Sequence, residues 1–110
     1  MSGRLQFLSD NIVKVYVLEK RPADVASLVE DMPERFYVAM LPLPEEDTQV
    51  EVWPKRAKVY VVICREKSWL LLLSTDRLRV RLSTKYSHAF SMARLVDKQM
   101  VLTMLGLVMG

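Results

Sequence analysis

Two hydrophobic runs constrain this chain more than any other feature. "VYVVIC" (59–64) and "WLLLLS" (69–74) are apolar at nearly every position and are separated by "REKS". Successive side chains of a strand point to opposite faces. Val59, Val61 and Ile63 therefore face one way and Tyr60, Val62 and Cys64 the other, while Leu70 and Leu72 oppose Leu71 and Leu73. Strands with this pattern are central and covered on both faces. A tight turn near Glu66 and Lys67 joins them into a hairpin.

The flanking sequence supplies further strands. "NIVKVYVLEK" (11–20) reads as a first strand with Val13, Val15 and Val17 on its apolar face, "RFYVAML" (35–41) as a second, and "QVEVW" (49–53) as a third, closed by Pro54. "AKVYVVICRE" (57–66) and "SWLLLLST" (68–75) are the fourth and fifth. "DRLRVRLS" (76–83) is the sixth, after a turn near Thr75 and Asp76, with Leu78, Val80 and Leu82 opposite Arg77, Arg79 and Arg81.

Two segments carry helical spacing. In 21–33, Pro22 suits a first helical position, Val25, Leu28, Val29 and Met32 form one stripe, and Pro33 ends the run. The stretch 87–109 reads as one long helix capped by Ser87. Its first half is amphipathic, with Met92, Leu95 and Val96 on one side, and its second half is apolar nearly all round. The expectation is an α+β single domain over 1–110, in the order β-α-β-β-β-β-β-α. It has one antiparallel sheet of five to six strands, a short helix after the first strand and a long C-terminal helix. A helix apolar on all sides needs a second surface to pack on. Met100, Val101, Met104, Leu105 and Val108 are accordingly expected at a homo-oligomer interface.

The charge distribution gives the functional lead. Residues 1–51 hold five Lys/Arg and ten Asp/Glu, a balance of −5; residues 52–110 hold eleven and three, a balance of +8, which sums to the net +3 of the chain. The basic half mixes cations with aromatics. Trp53 precedes Lys55, Arg56 and Lys58, and Lys85, Tyr86 and His88 follow the arginine strand. Lys and Arg match phosphates, and aromatic faces stack on unpaired bases. The expected function is single-stranded DNA or RNA binding without catalysis. Arg77, Arg79, Arg81, Lys55, Arg56 and Lys58 would meet phosphates, and Trp53 and Tyr86 would stack on bases. Two other readings of the three arginines stand beside this one: protection of an edge strand from aggregation, and pairing with Glu45, Glu46, Asp47 and Glu51. A different class of function, a structural or adaptor subunit assembling through the apolar C-terminal helix, is the alternative.

Chemistry has little to work with. His88 is the one histidine and Cys64 the one cysteine, so neither a disulfide nor a four-ligand zinc site is expected. Cys64 inside a strand reads as an inert buried thiol, and Trp69 as core. Gly3, Gly106 and Gly110 are too scattered for a phosphate loop. The Glu45–Glu46–Asp47 cluster reads as a solvated loop. No cofactor, metal or small-molecule substrate is expected. No signal peptide and no span of about 20 apolar residues is visible, so a cytoplasmic protein without a membrane partner is expected. One Asn and three Gln among many charges lean towards a thermophilic source.

Overall fold

A computed structural model describes residues 3–8, 10–18 and 22–109, with side chains at 22, 23 and 105–109 outside the description. Among the described residues the strands are β1 (Leu5–Phe7), β2 (Ile12–Val17), β3 (Arg35–Pro42), β4 (Thr48–Trp53), β5 (Val59–Cys64), β6 (Trp69–Ser74), β7 (Arg79–Ser83), β8 (His88–Met92) and β9 (Arg94–Asp97). The helices are α1 (Pro22–Asp31) and α2 (Lys98–Met109). They build three layers: a four-stranded sheet, a five-stranded sheet, and the two helices.

The five-stranded sheet has the order β2-β5-β6-β3-β9 and the four-stranded sheet the order β1-β4-β7-β8. Both are mixed, because β1 runs parallel to β4 and β2 parallel to β5. This replaces the single antiparallel meander expected from sequence. The reason lies in the two apolar runs. β5 and β6 need cover on both faces, and helices can supply only one. Val59, Val61, Ile63, Leu70 and Leu72 meet Val50, Val52, Leu78 and Val80 of the second sheet in one core. Val62, Cys64, Leu71 and Leu73 meet Val25, Val29 and Met32 of the α1 region, Phe36, and Val101 of α2 in another. The side-chain assignments expected for these two strands hold on both faces. Each fully buried aliphatic side chain contributes about 1.5–3 kcal/mol over leaving it in water, so a sheet with one bare apolar face is strongly disfavoured.

The largest departure concerns 87–109. Residues 88–92 and 94–97 are strands, and the helix spans 12 residues from Lys98. Ser87, expected as a helix cap, belongs to the β7–β8 turn: Thr84 N–H donates to the Ser87 carbonyl at 2.9 Å, and Ser87 N–H donates to Thr84 Oγ1 at 3.1 Å. Without β8, strand β7 would present a row of unpaired backbone groups at its outer edge. Pairing from Arg79–Met92 to Ser83–His88 satisfies that row. At Ala93 the chain turns the corner of the sandwich, and β9 pairs with β3 from Arg35–Asp97 to Val38–Arg94. The apparent helical stripe of Met92, Leu95 and Val96 thus comes from two strands in different sheets. Lys98 ties the start of α2 to the α1 end, with its Nζ donating to the Glu30 carbonyl and its N–H to the Glu34 carbonyl, both at 2.8 Å.

Two smaller departures follow from backbone irregularity. The pairing of β2 with β5 shifts register between Ile12 and Lys14, which sets Val13 apart as the bulged residue. Val15 stays in register with Val61 but lies on the end strand of the sheet, and the two are exposed at 51% and 41% instead of forming an apolar inner face. The arginine strand begins at Arg79, which leaves Arg77 outside it. Strand β1, absent from the sequence reading, docks through a close backbone approach at Gly3. A Cβ there would lie 2.0 Å from the Glu46 carbonyl carbon.

Candidate nucleic-acid interface

The outer face of the four-stranded sheet is built from the residues that alternate with its core. On β4, Val50 and Val52 point inward, so Gln49, Glu51 and Trp53 point out; on β7, Val80 is inward, so Arg79, Arg81 and Ser83 are out. Strand register aligns them into three rungs that continue onto β8. The rungs are Gln49–Ser83–His88, Glu51–Arg81–Phe90 and Trp53–Arg79–Met92. Alternate residues lie about 7 Å apart along a strand, so the rungs span about 14 Å.

The rung ending in Met92 combines cation and aromatic. The Arg79 guanidinium carbon lies 5.0 Å from the Trp53 ring centroid and 5.8 Å from that of Phe90. Phe90 is 63% exposed and Met92 55%. The middle rung is an ion pair in which Arg81 Nη2 donates to Glu51 Oε1. Arg81 also lies 5.9 Å from the Trp53 centroid, and its Nε is buried without a partner among the described residues. In the third rung His88 Nδ1 and Ser83 Oγ are hydrogen-bonded at 2.9 Å.

The structure therefore separates the three arginines. Arg79 is open on the sheet face, Arg81 is engaged by Glu51, and Arg77 sits over the Tyr37 ring at 5.8 Å, away from the β7 rungs. Among the described residues, Glu51 is the one of the four carboxylates that pairs with one of these arginines. Glu45, Glu46 and Asp47 lie in an exposed loop, where Asp47 Oδ1 accepts the Arg4 N–H at 2.9 Å. Lys55, Arg56 and Lys58 are exposed in the connection that follows Trp53. Tyr86 is 80% exposed, in the turn at the opposite end of β7, with Lys85 Nζ 5.7 Å from its ring. It is not adjacent to Trp53 along the face. Trp69 packs partly buried against the helix-side core, and Cys64 is buried and free. No group of three or more His, Cys, Asp or Glu suited to a metal occurs among the described residues.

Phe90 and Met92 were missed as site residues because their segment reads as helix. The available signal was the alternation of His88, Phe90 and Met92 with Ala89, Ser91 and Ala93. These two side chains also border a groove of about 790 Å³ with Met40, Val96, Met100 and Met104 at the β8–β9–α2 corner. Met40 and Met100 are 55% and 60% exposed. Val101, expected at an oligomer interface, is buried in the chain's own core, and the side chains of Leu105 and Val108 lie outside the described residues. No helix is long and apolar enough to cross a membrane among the described residues. Comparison with protein-family models, curated proteins and solved structures finds no match.

Proposed function

We propose that the outer face of the four-stranded sheet binds single-stranded nucleic acid, with bases stacking on Phe90 and Trp53 and phosphates meeting Arg79 and the Lys55, Arg56 and Lys58 loop. The observation that carries this reading is the Trp53–Arg79–Phe90 cluster, in which Arg79 and Phe90 are exposed and Trp53 is half-buried. A guanidinium between two aromatic rings on an uncovered sheet gives bases a π surface and the backbone a cation, without needing a particular sequence. Stacking contributes about 1–3 kcal/mol per base, which corresponds to roughly a five- to 150-fold loss when one ring is removed. Four phosphate contacts give a log–log salt slope of roughly −3, at about −0.7 per contact on a single strand. Anisotropy titration with labelled single-stranded oligonucleotides tests this. Phe90→Ala is expected to weaken binding within that range and Arg79→Glu to flatten the salt slope. Absence of binding at low salt, or affinity unchanged in both variants, contradicts the reading.

A second reading is favoured by the methionine groove: self-association, with a second copy of the chain as its occupant. The exposed side chains of Met40, Phe90, Met92 and Met100 border that groove, and contiguous exposed apolar surface of this kind marks interaction sites. A stable interface takes about 800 Å² from each partner, and the outer edge of β8 beside the groove, the end of its sheet among the described residues, can supply part of it. This interface would cover Phe90, so dimerisation and oligonucleotide binding are expected to compete. In light scattering, Met100→Asp is expected to convert a dimer to a monomer. A chain that is monomeric at high concentration contradicts self-association.

A further inference from the structure

The aromatic cluster occupies one end of the sheet face, and the other end is a polar cleft of about 290 Å³. Its walls come from chain segments that meet there. The Gly3–Arg4 segment is held by Gly3 N–H to the Pro44 carbonyl at 3.3 Å and Thr48 N–H to the Arg4 carbonyl at 2.9 Å. The turn after β7 is closed by Thr84 and Ser87. Between them the floor is the Gln49–Ser83 rung, with Gln6 of β1 in register beside Gln49.

We infer that this cleft seats a terminal phosphate of the bound strand; the inference rests on the nucleic-acid reading above and specifies how the strand is placed. The lining offers Arg4 and Lys85 as cations and the amides of Gln6 and Gln49 as donors, while the Ser83 hydroxyl is engaged by His88 and the Thr84 hydroxyl by the turn to Ser87. Asp47 also lines the cleft, and its Oδ1 accepts the Arg4 backbone N–H. Two cations against one carboxylate leave a positive balance. A phosphate monoester carries about −1.5 to −2 at neutral pH and three acceptor oxygens, more charge than a phosphodiester inside a strand. The position matters as much as the charge. A strand laid along the rungs from Trp53 passes Arg81–Glu51 and reaches the cleft about 14 Å on, where the turn and the Arg4 segment wall the face. An end fits there better than a continuing chain. Tyr86, displaced from the aromatic cluster, sits in the same turn as Lys85.

The test compares three oligonucleotides of one sequence, carrying a 5′-phosphate, a 3′-phosphate or hydroxyls at both ends. One phosphorylated end is expected to bind roughly tenfold tighter than the hydroxyl form, the size of a charged hydrogen-bonded contact. Lys85→Gln or Arg4→Gln is expected to remove that preference, whereas Lys55→Gln weakens all three ligands equally and keeps it. Equal affinity for the three ligands overturns the inference. So does a preference that survives in both Lys85→Gln and Arg4→Gln, since it then reflects added charge alone. Failure of all three oligonucleotides to bind overturns the nucleic-acid reading itself.

Discussion

Arg79 and Arg81 occupy equivalent positions in an alternating pattern, yet their chemistry differs because of what β4 places opposite each. Arg79 is in register with Trp53 and Arg81 with Glu51. The Arg81–Glu51 pair has side chains 35% and 25% exposed. A partly buried pair of this kind neutralises its cation for a polyanion while contributing little net stability, about 1 kcal/mol or less. Arg79→Glu is therefore expected to weaken oligonucleotide binding more than Arg81→Glu. Glu51→Gln frees Arg81 and removes a repelling charge, so it is expected to tighten binding several-fold and to steepen the salt slope by about 0.7. Anisotropy titration at two ionic strengths measures both. Equal losses in the two arginine variants would show that Glu51 does not set their roles. The alternation was legible in "RVRLS"; the partners were not, because register across strands is not written in either strand alone.

Legibility differs from element to element for physical reasons. β5 and β6 are readable because two runs of six strand positions give the same answer on both faces. α1 is readable because its stripe is bounded by prolines, and Val25 and Val29 are indeed fully buried. The segment 87–97 misleads because Met92, Leu95 and Val96 match a helix locally, while the need to pair the β7 edge, which decides the outcome, is non-local. β1 is three residues long and carries no pattern of its own. Its docking depends on Gly3, whose missing side chain lets the backbone approach Glu46. Gly3→Ala is expected to push this segment off β4 and to lower the thermal midpoint by several degrees, as a loss of about 1 kcal/mol does in a domain of this size. The same variant is expected to disturb the polar cleft without touching the Trp53 end of the face. An unchanged midpoint would mean that the β1 segment adds no stability.

At the scale of the molecule, the division into an acidic and a basic half does not produce two separated charged bodies. The fold interleaves them: β4, from the acidic half, lies between β1 and β7, so Glu51 meets Arg81 at the centre of one face. The +8 of residues 52–110 is thus partly compensated within the sheet, and on this side of the molecule the exposed cations are Arg79 on the face, Lys55, Arg56 and Lys58 beyond one end and Lys85 at the other. The central claim is that bases stack at the Trp53–Arg79–Phe90 end of this sheet. Tryptophan fluorescence tests it most directly, since Trp53 lies on that face and Trp69 packs on the far side of the other sheet. In a Trp69→Phe variant the remaining emission reports on the platform alone. Titration with a single-stranded oligonucleotide is expected to quench it saturably, with a midpoint that moves to higher ligand concentration as salt is added and with little effect from duplex DNA. Binding by anisotropy with no change in Trp53 emission would contradict the account.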